Sequence, residues 1–335
     1  MKKWQFPFLL LLIAGTVIIL GRSRRESVLR NSYQISQGYV FGTTYRITYQ
    51  YPEILDSAIN DALKRVDDAL SMFNDSSTIS RVNRNEPVDA AADTTFIHIF
   101  RLAQEISEKT GGAFDITVAP AVNAWGFGFK NAEDITDGII DSLKEITGYR
   151  MVRESEGRIV KDDPRIMLDC SAIAKGYGCD VVAGVFRQYG IDNFLIEIGG
   201  EMMLSGLNAK GEKWSIGVST PKDDPTASSN TLDTILHRTD CGIATSGNYR
   251  NFYEKDGVKY AHTIDPKSCR PVSHSLLSAT VIAADCATAD AFATAFMVMG
   301  ADSAQAILKR NPGLQAYLLV ADGEGTSSID LLGKE

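Results

Sequence analysis

The carboxylate of Asp290 lies in the middle of an apolar stretch that runs from Ala283 to Gly300 and is rich in Ala, Phe and Met. The stretch predicts a buried helix, and Thr294 follows Asp290 by one helical turn on the same face. No Lys or Arg falls within it, although a buried carboxylate needs a cation or hydrogen-bond donors. A hard metal ion held by Asp290 and the Thr294 hydroxyl is one solution. Exposure to solvent, or bonding to backbone N–H groups, is the alternative.

Two glycine-containing segments carry further polar groups. Residues 110–128 read T-G-G-A-F-D-I-T-V-A-P-A-V-N-A-W-G-F-G, with Asp115 among apolar residues. Glycine lets a backbone turn sharply or approach a ligand closely. A helix end with a packed turn is the structural alternative, but it leaves this combination of residues unexplained. Residues 196–202, I-E-I-G-G-E-M, predict a strand that ends at two glycines, where a plain turn is an equally good interpretation.

Residues 168–180, L-D-C-S-A-I-A-K-G-Y-G-C-D, predict a strand that ends at Asp169 and a helix that begins near Ser171. Helix N-termini suit phosphate because they present free N–H groups and the positive end of a dipole. Lys175 can direct its charge toward a phosphate or pair with an acid, although a surface lysine is the more common situation. The order of glycine and lysine is not that of a P-loop.

Residues 244–253 and 260–271 form a further polar group, A-T-S-G-N-Y-R-N-F-Y and Y-A-H-T-I-D-P-K-S-C-R-P. Arg250 can contact phosphate. His262 is one of only four histidines and can act as a general base. A lone histidine is more often structural, so both interpretations stay open at this point.

The net charge of −8 over 335 residues argues against a nucleic-acid binder. It does not exclude an anionic substrate, because a bound divalent cation reverses the local field. The five cysteines include no C-x-x-C pair, which predicts free buried thiols rather than a zinc site or a disulfide framework.

Residues 1–25 have the pattern of a signal peptide or a signal anchor, because Lys2 and Lys3 precede an apolar run from Phe6 to Leu20. The run is shorter than the ~20 residues of a full membrane span. Either form would place the rest of the chain outside the cytoplasm. Residues 26–38 are polar and are predicted as a linker, and residues 39–335 as one domain.

Helical and strand patterns mix along the domain without a regular βα alternation, which predicts the α+β class. The predicted helices cover residues 54–73, with Asp56 as the capping candidate, 96–109, 171–189 and 283–300. The predicted strands cover residues 39–51, 194–198, 214–219, 241–245, 260–264, 277–283 and 315–320.

These segments, taken in order, resemble the ApbE family of FAD:protein FMN transferases. The resemblance also includes F-G-T-T-Y from Phe41, S-M-F-N-D-S-S-T-I-S-R-V-N from Ser71 and A-D-A-F-A-T-A around Asp290. It covers roughly Tyr39 to Val320, and so many motifs in family order make it specific. It implies an ApbE-like (T-fold-like) architecture of mixed sheets with packed helices.

The resemblance also implies a set of site residues. The magnesium ligands would be Asp290, Thr294 and the main-chain carbonyl of Ala172. His262 matches the H-x-I-D-P motif of the family and would be the catalytic base. The FAD contacts that match are Phe41, Phe73, Ala113, Phe114, Asp115, Asp169, Lys175 and Ile264.

The reaction implied is Mg²⁺-dependent transfer of FMN from FAD to a Thr or Ser hydroxyl of a partner flavoprotein, with release of AMP. The partner would be a subunit of an Rnf-type or sodium-pumping NADH:quinone oxidoreductase complex, or a flavin reductase. The enzyme would be anchored at the periplasmic side of the inner membrane, or periplasmic if the signal is cleaved. Two alternatives stay open: a pyrophosphatase that hydrolyses FAD to FMN and AMP, and a periplasmic flavin-binding protein without catalysis.

Overall fold

The computed structural model describes residues 32–128, 135–220, 232–248, 252–255, 258–322 and 326–332. Its helices are α1 (Asp56–Leu70), α2 (Thr78–Asn83), α3 (Thr94–Lys109), α4 (Ala119–Ala124), α5 (Asp137–Lys144), α6 (Ala174–Gln188) and α7 (Cys286–Arg310). Its strands are β1 (Tyr33–Val40), β2 (Thr43–Gln50), β3 (Val152–Ser155), β4 (Arg158–Lys161), β5 (Phe194–Ile198), β6 (Glu201–Ser205), β7 (Trp214–Ser219), β8 (Leu232–Arg238), β9 (Cys241–Gly247), β10 (Phe252–Lys255), β11 (Val258–Ala261), β12 (Ile264–Asp265), β13 (Arg270–Pro271), β14 (Leu276–Ala283), β15 (Gln315–Ala321) and β16 (Thr326–Leu331).

One eight-stranded sheet organises the fold, in the order β1-β2-β5-β6-β9-β14-β15-β16. Its neighbouring strands are all antiparallel. Two-stranded ribbons accompany it, formed by β3–β4, β7–β8, β10–β11 and β12–β13. Because the helices pack on an antiparallel sheet and do not alternate with parallel strands, the α+β class is confirmed.

The N-terminal hairpin differs from the prediction of one strand over 39–51. The structure has two strands, β1 and β2, joined at Phe41 and Gly42. Both turn residues have positive φ, 51° and 76°, which suits a tight two-residue hairpin. The linker prediction over 26–38 is therefore wrong for residues 33–38, which belong to β1.

Strand β1 can be polar because it lies at the edge of the sheet and pairs with only one neighbour. Its buried Ser36 hydroxyl lies within hydrogen-bond distance of Tyr49 and donates to the Asp56 carboxylate. The Asp56 carboxylate therefore accepts a hydrogen bond from β1. The N-cap position of α1 falls on Leu55, which makes no side-chain capping bond. The prediction of Asp56 as the cap is wrong for this reason.

Helices α6 and α7 pack against each other and against the central strands of the sheet. A Cβ atom on Gly176 would lie 2.4 Å from the carbonyl oxygen of Cys286, so only glycine permits this approach. Asp180, one turn later in α6, accepts the N–H groups of Cys286 and Ala287 at 2.8 Å each. The start of α7 is thereby fixed against α6.

Helix α7 extends beyond the predicted end at Gly300, where its regular path is broken by a φ of 78°. At this break, the His274 Nε2 atom lies 2.8 Å from the carbonyl oxygen of Met297. Within the described residues, α7 is the one helix long and apolar enough to cross a membrane. Its Phe292 and Phe296 side chains are fully packed in the core, which makes it a core helix of this fold.

The opposite face of the sheet is covered by the β7–β8 ribbon. Trp214, Ile216 and Leu236 of the ribbon form one apolar cluster with Ile243 and Leu319 of the sheet.

The sequence patterns do not predict β6, β8 or β16, since these strands are short or polar. The predicted targeting segment and Arg250 lie outside the described residues.

Candidate active site

A cavity of about 940 Å³ brings together residues from distant parts of the chain. Its volume is in the range of pockets that hold cofactors. The site residues that the resemblance implies all contribute to the lining except Phe41, namely Phe73, Ala113, Phe114, Asp115, Asp169, Ala172, Lys175, His262, Ile264, Asp290 and Thr294. The resemblance therefore selected residues that the fold places around one space.

Phe41 lies outside this lining and packs on α6, where a Cβ atom on Gly178 would come within 2.7 Å of its ring. The aromatic residues in the lining are Phe73, Phe114 and Phe127. Phe73 is 78% exposed, whereas Phe114 is 2% exposed and belongs to the core. Phe73 and Phe127 are thus the aromatic side chains placed to meet a flat ring system.

Asp290 is 2% exposed, and both of its contacts among the described residues reach the same oxygen, Oδ2. The N–H group of Gly176 donates to Oδ2 at 3.0 Å, and Lys175 Nζ lies 3.8 Å away. Oδ1 has no hydrogen bond or ion pair with the described part of the chain. Thr294 lines the same cavity, and its hydroxyl shares a 3.2 Å hydrogen bond with Ser246.

The backbone at the start of α6 frees a third oxygen. In a regular helix the N–H group of Gly176 would bond to the carbonyl of Ala172, four residues earlier. Here it donates to Asp290, while the next N–H group, that of Tyr177, keeps the helical pattern and bonds to Ile173. The Ala172 carbonyl consequently has no backbone donor among the described residues and is available to a ligand.

Carboxylate, hydroxyl and carbonyl oxygens are the donors that Mg²⁺ prefers. The described residues contain no cluster of three His, Cys, Asp or Glu side chains that could hold a metal ion. The set formed by Asp290, Thr294 and Ala172 has a single carboxylate, so further ligands must come from a substrate or from water. This donor set fits a magnesium ion that joins the protein to a phosphate group.

Lys175 lies between two buried carboxylates. Its Nζ atom is 3.5 Å from Glu201 Oε1 and 3.8 Å from Asp290 Oδ2. Burial lowers the pKa of Lys175, but the two carboxylates raise it by more, so the ammonium group stays charged. Burial raises the pKa of Glu201, which is 5% exposed, and the charge of Lys175 opposes that rise. Lys175 thus pairs with acids while it also lines the cavity.

The other two predicted carboxylates organise the turns that reach the cavity. Asp115 accepts the N–H and hydroxyl groups of Thr117 at 2.8 and 2.7 Å, and the N–H group of Tyr149 at 2.6 Å. Burial raises the pKa of Asp115, and these hydrogen bonds oppose the rise. Asp169 accepts the N–H group of Ser171 at 2.7 Å. Both carboxylates therefore shape the backbone that a ligand would meet.

His262 is half-buried in the cavity wall, and its ring centroid lies 6.4 Å from that of Phe127 in an edge-on arrangement. The residues that follow it are fixed in place. The Thr263 hydroxyl donates to Asn248 at 2.6 Å, and Ile264 is 5% exposed in the β12–β13 ribbon. This segment can therefore hold an imidazole beside a substrate.

Three residues that build the site were not among the sequence-predicted ones: Asn83, Gly176 and Glu201. The Asn83 amide donates to the carbonyl of Leu168 at 2.9 Å and accepts its N–H group at 2.7 Å, which fixes the chain just before Asp169. The signals for these residues are modest. Each residue belongs to a motif that carries the family resemblance, but only its tertiary contacts show what the residue does.

Comparison with known proteins identifies the family. The ApbE family model matches residues 41–318. A FAD:protein FMN transferase of Vibrio cholerae is 36% identical over 334 residues, which cover 97% of this chain and 96% of the relative. A protein of the same name from Escherichia coli K12 is 37% identical over 264 residues, which cover 77% and 72% of the two chains.

Solved structures agree with the sequence comparison. The flavin transferase ApbE from Vibrio cholerae has a TM-score of 0.79 at 35% identity, covering 89% of this chain and 97% of its own. The apo form of the Pseudomonas stutzeri flavinyl transferase ApbE has a TM-score of 0.79 at 28% identity, covering 91% and 98%. Because the family model matches residues 41–318, which are most of the 335 residues, this chain belongs to the ApbE family.

Proposed function

We propose that this ApbE-family enzyme transfers FMN from FAD to a Thr or Ser hydroxyl of a partner flavoprotein and releases AMP, with Mg²⁺ as its metal ion. The observation that carries the proposal is one cavity that holds three oxygen donors (from Asp290, Thr294 and Ala172) together with Lys175 and His262. The names of the relatives support the transfer of FMN from FAD to a protein.

Charge neutralisation is the first requirement, because a hydroxyl must attack phosphorus in an anionic pyrophosphate. Asp290, Thr294 and the Ala172 carbonyl would hold the cation. When bound, Mg²⁺ neutralises pyrophosphate charge and polarises its oxygens. Lys175 adds a positive charge from the protein itself, in a chain whose net charge is −8.

Proton transfer is the second requirement. His262 would accept the proton of the acceptor hydroxyl as its oxygen forms a bond to the phosphorus of the FMN half. The bond that breaks joins this phosphorus to the bridging oxygen, which leaves with AMP. Phe73 and Phe127 would face the flat rings of FAD, and the backbone of residues 113–115 would meet its polar edges.

The location and the partner follow from the reaction and from the N-terminal pattern. We propose that residues 1–25 place the enzyme at the periplasmic side of the inner membrane, as an anchor or as a cleaved signal. The acceptor is proposed to be a subunit of an Rnf-type or sodium-pumping NADH:quinone oxidoreductase complex, or a flavin reductase, with an exposed Thr or Ser.

Release of AMP separates the proposal from its alternatives. The protein is incubated with FAD and Mg²⁺, with and without an acceptor domain, and AMP is quantified by chromatography. A transferase releases AMP only when the acceptor is present. Equal release without the acceptor indicates FAD hydrolysis, and no release in either case indicates flavin binding without catalysis.

Asp290→Ala should abolish the Mg²⁺-dependent activity, and unchanged activity would exclude Asp290 as a metal ligand.

A further inference from the structure

Three charged side chains meet in the cavity, and their charges do not balance. Lys175 on α6 is positive, while Glu201 on β6 and Asp290 on α7 are carboxylates that are 5% and 2% exposed. With all three ionised, the group has a net charge of −1. An excess of buried negative charge is unfavourable unless a further cation or donor meets it.

The ammonium group is shared between several acceptors and makes no close ion pair. Its distances to Glu201 Oε1, Asp290 Oδ2 and the Ser171 carbonyl are 3.5, 3.8 and 3.5 Å. Charge-assisted hydrogen bonds are typically about 2.7–2.9 Å long. The second Glu201 oxygen, Oε2, is buried and has no hydrogen-bond partner in the described part of the chain. The polar contact of the Glu201 side chain is thus with Lys175. Packing alone does not explain why a carboxylate is buried at this position.

The double glycine before Glu201 accommodates the lysine. Gly199 and Gly200 have φ values of 63° and 107°, a region that favours glycine. A Cβ atom on Gly199 would meet Lys175 Cδ at 3.4 Å and Thr43 Cγ2 at 2.7 Å. The turn therefore lets the lysine side chain pass close to the backbone and places a carboxylate directly after it.

We propose that Glu201 is a positioning residue that holds the Lys175 ammonium group away from Asp290 and so keeps Asp290 available to the divalent cation. This inference rests on the metal site of the proposed function. Without a carboxylate at the reach of Glu201, the ammonium group would move onto Asp290 as its remaining charged partner. A divalent cation would then have to displace it, which weakens metal binding.

A double-mutant cycle read out by Mn²⁺ binding tests this role. Mn²⁺ is titrated into the FAD-free protein by calorimetry for the wild type, Glu201→Asp, Lys175→Met and the double variant. Glu201→Asp keeps the carboxyl group but shortens the side chain, and we expect the Mn²⁺ dissociation constant to rise about tenfold. In the Lys175→Met background the same change should alter it less than about twofold, because no ammonium group remains to move.

Equal losses in the two backgrounds would overturn the proposal, since they would mean that Glu201 is itself a ligand or acts through packing. No loss in either background would overturn it as well. Glu197→Asp removes the same methylene from another glutamate in the cavity wall and should leave Mn²⁺ binding unchanged. Glu201→Gln repeats the cycle if Glu201→Asp fails to fold, as judged by thermal unfolding.

The same measurements separate this inference from the proposed function. Absence of Mn²⁺ binding in the wild type would contradict the metal assignment and this inference together. A cycle with the expected coupling in a protein that transfers no FMN would contradict the proposed reaction alone. Wild-type transfer with no coupling in the cycle would contradict the role of Glu201 alone.

Discussion

Under the proposed function, His262 and Asp290 would act at the two ends of one transfer reaction. The imidazole would take a proton from the attacking hydroxyl, and the carboxylate would hold the cation that stabilises charge on the phosphates. The two residues lie in different elements of the fold: His262 lies just before β12, and Asp290 lies in α7. Substitutions at the two positions should therefore affect different steps.

Replacing His262 with Ala should leave FAD binding within a few-fold of the wild type and slow transfer by about 10²–10⁴-fold, the usual contribution of a general base. Binding is measured by flavin fluorescence, and transfer by covalent flavin on the acceptor. His237→Ala is the matched control, because His237 is exposed on β8 and bonds to Ser215. Transfer by His262→Ala at the wild-type rate would exclude it as the base.

The family motifs named single residues, and the fold places all of these except Phe41 around one cavity, but the sequence could not supply the physical reason for each. Ala172 came only from the resemblance, and its availability depends on the Gly176 N–H group, which donates to Asp290. Glu201 lies in a quoted motif yet received no role. Its proposed role acts through Lys175, and the two residues come from different elements.

At the level of elements, the close contact of α6 with α7 holds the proposed metal ligands Asp290, Thr294 and Ala172 together. Gly176→Ala should destabilise the fold by about 1–3 kcal/mol, because its Cβ atom would lie 2.4 Å from the Cys286 carbonyl oxygen. Gly184→Ala in the same helix meets nothing within 4 Å and should stabilise it by about 0.5–1 kcal/mol. Urea unfolding measures both, and equal effects of the two changes would contradict the packing argument.

Asp180, which accepts N–H groups at the start of α7, should make stability depend on pH. Burial raises its pKa to about 7 from an ordinary value of 3.8, against the lowering by the Cys286 and Ala287 N–H groups. A carboxyl group whose pKa is raised by folding stabilises the fold at low pH, and this contribution is lost as the pH rises through about 7.

Asp180→Asn removes this titration. Between about pH 5 and about pH 8, the wild type should lose unfolding free energy relative to the variant, as measured by urea midpoints at each pH. Parallel pH profiles of the two proteins would contradict the assignment of a raised pKa to Asp180.

Helices were predicted more closely than the N-terminal strands. The apolar periodicity over 96–109 gave α3 to within two residues, since an amphipathic helix is a local pattern. The hairpin of β1 and β2 was not predicted, because β1 is a polar edge strand and its turn has Phe41 at positive φ. The local pattern of apolar and polar residues does not predict which strands pair with each other.

At the scale of the whole molecule, strand order was beyond sequence reasoning. β2 pairs with β5 and β6 with β9, contacts that join segments far apart in the chain. These pairings bring the glycine turn after β5 and the polar end of β9 to the same cavity as α7. Only the resemblance, with its many motifs in order, predicted that the segments would assemble around one site.

The most direct test of the proposed transferase activity is transfer of flavin to a second protein. The enzyme is mixed with FAD, Mg²⁺ and a purified acceptor domain, and the acceptor is examined for flavin fluorescence after denaturing electrophoresis. We expect a fluorescent acceptor band that disappears when the target Thr is replaced by Val, when Mg²⁺ is chelated, or in Asp290→Ala. AMP and FMN formed in solution at the same rate with either acceptor, with no fluorescent band, would contradict it and identify the enzyme as a FAD hydrolase.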